Sequence, residues 1–230
     1  MIRKILNFAE YGFMKIRDLM PMAVFMVCYM LCFTLLEKRT SVHYTEIHAW
    51  VDDRIPFSEI FVIPYMLWFA FVAAVVLYLY FKDRDRYDRT ATLLYIGMTV
   101  FIVISYAFPN IQYLRPYAFA KHDFLTGAVR WLYRTDTNTN VFPSIHVYNT
   151  LCCMAGMKHS GSAFAKRPAV RAFVTALGYS IILSVMFLKQ HSVADDLGAF
   201  LMAAVVYRFV YEPALWPFGE PVKPQKKRAA

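Results

Sequence analysis

The chain reads FPSIH at residues 142–146, where a polar loop gives way to an apolar run. Two other polar segments stand at similar junctions: Arg115-Pro116, and the segment from Lys189 to Asp195. Together the three junctions carry imidazole, carboxylate, guanidinium and ammonium groups, which can bind and transfer phosphate. The protein can use them as one site only if the fold places all three on the same side of a membrane.

Composition indicates an integral membrane protein. Apolar residues make up 59% of the chain and charged residues 18%, and the mean hydropathy is +0.39. A soluble domain is about half apolar and about one quarter charged. The net charge of +9 is expected where cytoplasmic loops face anionic lipid, so we expect a lipid bilayer and no nucleic acid as partner. The four cysteines lie in apolar runs without the spacing of a metal site, and we expect no metal and no cofactor.

Six apolar segments are candidates to cross the bilayer, which takes about 20 helical residues. They are Leu19–Leu36, Ile60–Phe81, Ala91–Phe108, Ser144–Met157, Val170–Leu188 and Val193–Tyr211. The fourth is the shortest and contains His146, Asn149 and Thr150. Polar groups inside a membrane face a protein interior and mark function. The fold class expected is therefore all-α integral membrane, a six-transmembrane helix bundle.

Two amphipathic segments predict helices that lie in the membrane interface. One is the N-terminal segment 1–18, and the other is the segment around 121–134 in the loop between the third and fourth spans. Residues 1–211 are interpreted as a single membrane domain. Residues 212–230 contain four prolines and end in basic residues, which is typical of a solvated cytoplasmic tail.

Six spans place both termini on the same side of the membrane. About two thirds of the Lys and Arg residues then lie on that side, and the positive-inside rule makes it cytoplasmic. Arg115 follows the third span, His146 opens the fourth, and His191 lies between the fifth and sixth. All three junctions are therefore expected on the non-cytoplasmic face, and the protein is expected in the cell membrane.

His191 and Asp195 are four residues apart, which places them on one face of a helix or of a turn leading into one. A carboxylate bonded to one imidazole nitrogen fixes the tautomer and leaves the other nitrogen as a nucleophile. Asp196 lies about 100° further round the helix, so Asp195 is the better partner.

His146 follows Pro143 and Ser144, which are typical of a helix start. The free N–H groups of a helix N-terminus favour phosphate, and the Ser144 hydroxyl adds a donor. Arg115 offers bidentate donors to phosphate oxygens, and Lys189 offers a point charge. This set suits phosphoryl transfer without a metal. Four other histidines have no such partners and are left out of the site: His43, His48, His122 and His159.

At these positions the chain resembles the type 2 phosphatidic acid phosphatase superfamily of membrane lipid phosphatases and phosphotransferases. The motifs of that family are Lys-x6-Arg-Pro, Pro-Ser-Gly-His and Ser-Arg-x5-His-x3-Asp. The matching residues here are Arg115-Pro116, Pro143-Ser144-Ile145-His146, and Ser184, His191 and Asp195. Three positions depart from the motifs, with Phe108 for Lys, Ile145 for Gly and Val185 for Arg. This pattern is similar to the branch that includes inositol phosphorylceramide synthases.

The resemblance implies a mechanism in which His191, oriented by Asp195, attacks phosphorus and forms a phosphohistidine. His146 protonates the leaving group, and water or an alcohol then accepts the phosphoryl group. The phosphate oxygens are held by Arg115, Ser144 and Lys189.

Three functions stay open at this point. The first is a metal-independent lipid phosphate phosphatase, acting on phosphatidic acid, phosphatidylglycerol phosphate or polyprenyl diphosphate. The second is a lipid phosphotransferase of the inositol phosphorylceramide synthase type, which would use the same residues. The third is a non-catalytic lipid transporter or lipid-binding protein, although the chain lacks the internal repeat that is common in transporters. A homo-oligomer is compatible with each of them.

Overall fold

The computed structural model describes residues 19–40, 42–121 and 123–212. Within them the chain forms seven helices and one parallel pair of two-residue strands. The helices are α1 (Met20–Glu37), α2 (Val62–Lys82), α3 (Arg84–Ala107), α4 (Phe124–Thr135), α5 (Ile145–His159), α6 (Pro168–Phe187) and α7 (Val193–Tyr211). The strands are β1 (Thr45–Glu46) and β2 (Asn110–Ile111). The predicted interfacial helix at 1–18, and the predicted tail beyond residue 212, lie outside the described residues.

Four of the described segments are long and apolar enough to cross a membrane, which supports the predicted membrane class. They are Met20–Glu37, Glu59–Lys82, Arg84–Ala107 and Pro168–Phe187. Helices also form at the other two predicted spans, as α5 and α7, but the count of six spans is not confirmed. α5 has 15 residues, about 22 Å of helix against a hydrocarbon core of about 30 Å. α7 carries Asp195 and Asp196 in its first turn.

Within the charged segment at residues 82–86, only Asp83 separates the end of α2 from the start of α3. Asp83 accepts a hydrogen bond from the backbone N–H of Arg86 and so caps α3, which begins at Arg84 and not at the predicted Ala91. Arg84 pairs with Asp88 one turn later, with 3.1 Å between Nε and Oδ1. Opposite charges at this spacing stabilise a helix, so the charged residues extend α3.

α5 is the helix around which four of the others pack. It contacts α2, α3, α6 and α7. Most of its residues are buried, among them Val147, Tyr148, Cys152 and Cys153. Asn149 and Thr150 are buried against these helices and are therefore not exposed to hydrocarbon. A short helix of modest hydropathy can therefore occupy the position of the predicted fourth span.

α3 and α5 pack closely at Gly97. The Tyr148 hydroxyl donates to the carbonyl oxygen of Leu93 at 2.7 Å, and the Tyr148 ring lies against Gly97. A Cβ atom at residue 97 would lie 2.0 Å from Cε1 of that ring. Glycine is therefore required for the two helices to pack at this distance.

The loops at one end of the bundle are joined to one another. β1, from the first loop, pairs in parallel with β2, from the loop after α3. The side-chain oxygen of Asn110 in β2 accepts hydrogen bonds from the backbone N–H groups of Val141 and Phe142, at 2.7 and 2.9 Å. Phe142 is joined to Pro143 by a cis peptide bond. These contacts hold the segment that leads into α5.

α4 confirms the helix predicted around 121–134. Asp123 caps it by accepting from the backbone N–H of Thr126 at 2.8 Å. Val129 and Leu132, on one face of α4, are buried in the main apolar core. The amphipathic pattern therefore reflects packing on the bundle, and a position in the membrane interface stays a prediction.

Replacing Gly97 by alanine is expected to lower the free energy of unfolding by about 1–3 kcal/mol, the usual cost of overpacking a core. The new methyl group would overlap the buried ring of Tyr148. Thermal unfolding of the purified protein in detergent measures the loss. Gly127→Ala in α4 is the matched control, because a Cβ there meets no atom within 4 Å and alanine favours a helix. Equal melting temperatures for the two variants would contradict this packing.

Candidate active site

The N-termini of α5 and α7 meet, and this contact joins two of the three polar junctions. The backbone N–H of Ser144, just before α5, donates to the backbone carbonyl of Asp195 in the first turn of α7, at 3.1 Å. The contact brings His146 and His191 side by side, with 5.8 Å between their ring centres. Two histidines that are 45 positions apart in the sequence thus lie at one point of the fold.

His191 and Asp195 form the pair that their spacing predicts. Nδ1 of His191 lies 3.3 Å from Oδ2 of Asp195, and both side chains are buried. The same carboxylate oxygen accepts the backbone N–H of Ser192 at 2.9 Å, which completes a capping box at the start of α7. The helix start therefore fixes the carboxylate, and the carboxylate fixes the imidazole.

The surrounding charges favour the protonated form of His191. Burial by itself lowers the pKa of His191, but the hydrogen bond and charge of Asp195 and the charges of two more carboxylates outweigh it. Those two carboxylates belong to Asp196 and Asp136. The pKa of His191 therefore lies above its ordinary value, and its second nitrogen is correspondingly more basic.

His146 is packed against two aromatic side chains of α2. The centre of its ring is 4.7 Å from that of Tyr65 and 4.3 Å from that of Trp68. The aromatic rings hold the imidazole by packing. Hydrogen bonds span about 3 Å, so the separation of the two imidazoles lets both contact a single phosphoryl group.

Ser144 is the N-cap of α5, as the sequence predicts. Its hydroxyl oxygen accepts from the backbone N–H of Val147 at 3.4 Å, and the side chain is fully buried. The oxygen is thus engaged by the helix, and the buried carboxylate of Asp196 is a protein acceptor close to the hydroxyl. Donation from Ser144 to a phosphate stays a prediction.

The Nη donors of Arg115 are used within the protein. They reach the carbonyl oxygens of Tyr133, Asp136 and Thr137 and Oε1 of Gln190, at 2.5–3.2 Å. The guanidinium therefore ties the loop after α4 to the loop between α6 and α7. Burial lowers the pKa of Arg115, but an arginine stays charged at neutral pH. Its role as a phosphate ligand stays a prediction.

Lys189 also donates to a protein acceptor. Its Nζ lies 2.6 Å from the carbonyl oxygen of Asp52, and its backbone has a φ of 53°, which is uncommon for a residue with a side chain. Burial lowers the pKa of Lys189, and the charges of Asp52 and Asp53 partly offset this. Lys189 thus adds a positive charge to the loop that carries His191, two positions along the chain. Its binding of phosphate stays a prediction.

Asp52, in the first loop, belongs to this arrangement although no sequence pattern marks it. Its Oδ2 accepts from the Ser192 hydroxyl at 2.6 Å and from the backbone N–H of Ala49 at 2.8 Å. Its Oδ1 accepts from the backbone N–H of Val193 at 2.8 Å. A carboxylate at a helix N-terminus is stabilised by the helix dipole. Asp52 therefore fastens the first loop to the start of α7, next to His191.

A second unpredicted carboxylate, Asp136, lies close enough to His191 for their charges to interact. Its Oδ2 accepts from the hydroxyl of Tyr65, the residue that packs on His146, at 2.9 Å. Burial raises the pKa of Asp136, while the Tyr65 hydrogen bond and the charges of His191 and Arg115 act in the opposite direction. Tyr65 and Trp68 are three residues apart, which puts both on one face of a predicted span. This spacing could have indicated that the two rings pack on the same neighbour, which is His146.

The prediction that the other four histidines lack such partners is wrong for His48, which pairs with a carboxylate, whereas the partner of His159 is a tyrosine. Nε2 of His48 lies 2.9 Å from Oδ1 of Asp53, in an exposed pair on the first loop. Nε2 of His159 lies 2.6 Å from the hydroxyl of Tyr207, at the end of α5 that is remote from His146. Among the described residues no three His, Cys, Asp or Glu side chains are grouped as metal ligands, and independence from metal stays a prediction.

A family model described as the PAP2 superfamily matches residues 31–209. The match covers more than half of the chain and contains all three polar junctions and the six predicted site residues. It does not confirm the branch that includes inositol phosphorylceramide synthases. No curated protein and no solved structure matches significantly.

Replacing Asp52 by asparagine is expected to lower the melting temperature and the activity together. The amide keeps one carbonyl oxygen and cannot accept from Ser192, Ala49 and Val193 as the carboxylate does. Leaving a buried donor unpaired costs about 1–3 kcal/mol. Thermal unfolding and initial rates of phosphate release measure the effect. Asp53→Asn is the matched control, because the Asp53 side chain is 67% exposed. An unchanged melting temperature in Asp52→Asn would contradict the role of Asp52.

Proposed function

The chain belongs to the PAP2 superfamily, and from this premise we propose that it is a membrane lipid phosphate phosphatase that acts through a phosphohistidine. The superfamily contains phosphatases and phosphotransferases. The observation that carries the proposal is the buried pair of His191 and Asp195 with His146 beside it. A nucleophile, the group that orients it and a second acid–base group then act at one point.

In the first step Nε2 of His191 attacks the phosphorus atom of the lipid phosphate. Asp195 holds the proton on Nδ1, so the lone pair lies on Nε2. An N–P bond forms while the bond from phosphorus to the leaving oxygen breaks, and His146 gives its proton to that oxygen. The bound phosphate supplies the negative charge that lets a ring packed against Tyr65 and Trp68 carry this proton.

In the second step water attacks the phosphohistidine. His146, now neutral, takes a proton from the water, the N–P bond breaks, and His191 and inorganic phosphate are released from one another. If an alcohol takes the place of water, the phosphoryl group passes to the alcohol and the protein is a phosphotransferase.

Helix N-termini and cations in fixed positions stabilise the negative charge of the transferring phosphoryl group. The N-termini of α5 and α7 are the positive ends of two helix dipoles. Arg115 and Lys189 add positive charge from places fixed by their hydrogen bonds to the loops. Asp52 already occupies part of the α7 N-terminus. The N-terminus of α5 and the two cations therefore neutralise most of the negative charge of the phosphate.

The proposed arrangement has six spans, cytoplasmic termini and an active site on the non-cytoplasmic face of the cell membrane. Four apolar segments support a membrane protein, and α5 and α7 supply the other two spans. The excess of Lys and Arg on the side of the termini supports the orientation. The loops that carry Arg115, Ser144 and His191 meet at one end of the bundle. The substrates proposed are phosphatidic acid, phosphatidylglycerol phosphate and polyprenyl diphosphate.

A lipid phosphotransferase of the inositol phosphorylceramide synthase type is the second candidate. It is favoured by the positions at which the chain departs from the phosphatase motifs, Phe108, Ile145 and Val185. Ile145 packs with Met98 and Phe101 in a small apolar cluster, so the position of the motif glycine is filled by a core residue. Both reactions use the same histidines, and the acceptor decides between them.

His191→Asn is expected to reduce phosphate release from phosphatidic acid at least about a thousandfold, because the nucleophile is removed. The protein, purified in detergent, is incubated with radiolabelled phosphatidic acid and quenched in base. The wild type should carry label that is stable in base and lost in acid, as an N–P bond is, and the variant should carry none. His43→Asn is the matched control, because His43 is an exposed histidine of the first loop.

Three other results would change the assignment. Full activity in His191→Asn would end the catalytic account and leave a lipid-binding or transport protein. Transfer of the label to an added polyol, with little free phosphate, would replace the phosphatase by the phosphotransferase. Loss of activity in EDTA that zinc or magnesium restores would show that a metal takes part.

Activity is expected to rise with pH through the pKa of His191, which lies above its ordinary value of about 6.5, because Nε2 attacks only from the neutral ring. Asp195→Asn removes the largest of the charges that raise this pKa, so that only Asp196 and Asp136 remain to oppose the lowering effect of burial. The rising limb of kcat against pH should therefore move to lower pH, while the maximal rate falls about a hundredfold or more. Asp53→Asn should leave the limb in place. If the rising limb of kcat lies at the same pH in the wild type and in Asp195→Asn, the group that titrates there is not His191.

A further inference from the structure

α6 and α7 both pack on α5, and a cavity of about 630 Å³ lies between these helices. It is lined along the half of α5 that is remote from His146, from Leu151 to His159. His146 and His159 are about 20 Å apart along the helix axis, at 1.5 Å per residue. The cavity is therefore separate from the candidate active site.

The walls of this cavity are apolar. They include Leu151 and Met154 of α5, Val174 of α6 and Phe200 of α7. Tyr179 of α6 also lines the cavity, and both Tyr179 and Phe200 are exposed. In a helix bundle that sits in a membrane, an opening between two exposed helix faces leads directly to the lipid.

The end of the cavity near His159 is basic. Lys158 and Arg171 line it, and both side chains are exposed. Within the described part of the chain, no Asp or Glu lines the cavity. Positive charge that no carboxylate neutralises favours an anion, and at a membrane surface the abundant anions are lipid phosphates.

We propose that this cavity binds an anionic phospholipid, with its phosphate at Lys158 and Arg171 and one acyl chain along the apolar walls. The volume lies in the range of about 300–1,000 Å³ that is usual for small-molecule sites. A helix about 10 Å across would fill 630 Å³ with about 8 Å of its length, so a helix from a second copy of the chain fits badly. A lipid in this place bridges α6 and α7, and it stabilises the bundle because it binds the folded state.

Native mass spectrometry of the full chain in detergent tests the proposal, with phosphatidylglycerol and phosphatidylcholine of the same acyl chains as probes. The wild type should bind one phosphatidylglycerol in preference to phosphatidylcholine. The variant with both Lys158→Ala and Arg171→Ala should bind phosphatidylglycerol about 25-fold more weakly, at about fivefold for each cation near a membrane surface. The matched control carries Lys166→Ala and Arg167→Ala, two exposed cations that lie near the cavity in sequence but do not line it.

A second variant tests the walls without changing the charges. Ala203→Trp places a large side chain in the cavity and should abolish binding of phosphatidylglycerol, with circular dichroism to show that the helices are intact. If this variant does not fold, the charge variant and its control still decide.

Several results would overturn the proposal. Glycerol 3-phosphate that binds as tightly as phosphatidylglycerol would show that only a phosphate is recognised. Equal affinities of the charge variant and its control would remove Lys158 and Arg171 from the site. A wild type that takes up no lipid would show that another segment of the chain, or a second copy, occupies the cavity.

Discussion

One hydrogen bond holds the candidate active site together, from the backbone N–H of Ser144 to the backbone carbonyl of Asp195. Ser144 precedes α5 and Asp195 lies in α7, so this bond sets how the two helix N-termini meet. The Asp195 side chain binds His191 and the N–H of Ser192. Main chain and side chain of one residue thus link both motifs, and the distance between the imidazoles of His146 and His191 follows from this link.

A layer of loop contacts supports the link, because buried backbone groups must be paired. The amide nitrogen of Gln112 donates to the carbonyl oxygens of Lys189 and Gln190. Asn110 holds the segment that enters α5, and Asp52 holds the start of α7. Side chains from distant parts of the chain therefore fix the loops, whose described residues form only short turns and one pair of two-residue strands. The site is preorganised by hydrogen bonds that are not themselves part of the chemistry.

Local patterns made the membrane class, the positions of the helices and the pair of His191 and Asp195 predictable from the sequence. Apolar runs and a four-residue spacing depend only on neighbouring residues. Asp52 could not be found in this way, since its partner Ser192 is 140 residues away. The way in which Arg115 and Lys189 use their donors depends on loop conformation, which no periodicity describes. The number of spans is also hard to predict, because the central helix is enclosed by protein and has little need to be apolar.

The contact between Asp52 and the start of α7 has a consequence for how the protein is made. Asp52 precedes α2, whereas Ser192 and Val193, which it binds, immediately precede and begin α7. Synthesis proceeds from the N-terminus, so the Asp52 carboxylate lacks Ser192 and Val193, and the N–H of Ser144 lacks the carbonyl of Asp195, until α7 has entered the bundle. A nascent chain that ends before α7 lacks Asp195, which binds His191, and the contacts that Asp52 and Ser144 make with the first turn of α7. The candidate site is therefore assembled only after α7 has been synthesised and has packed against α5.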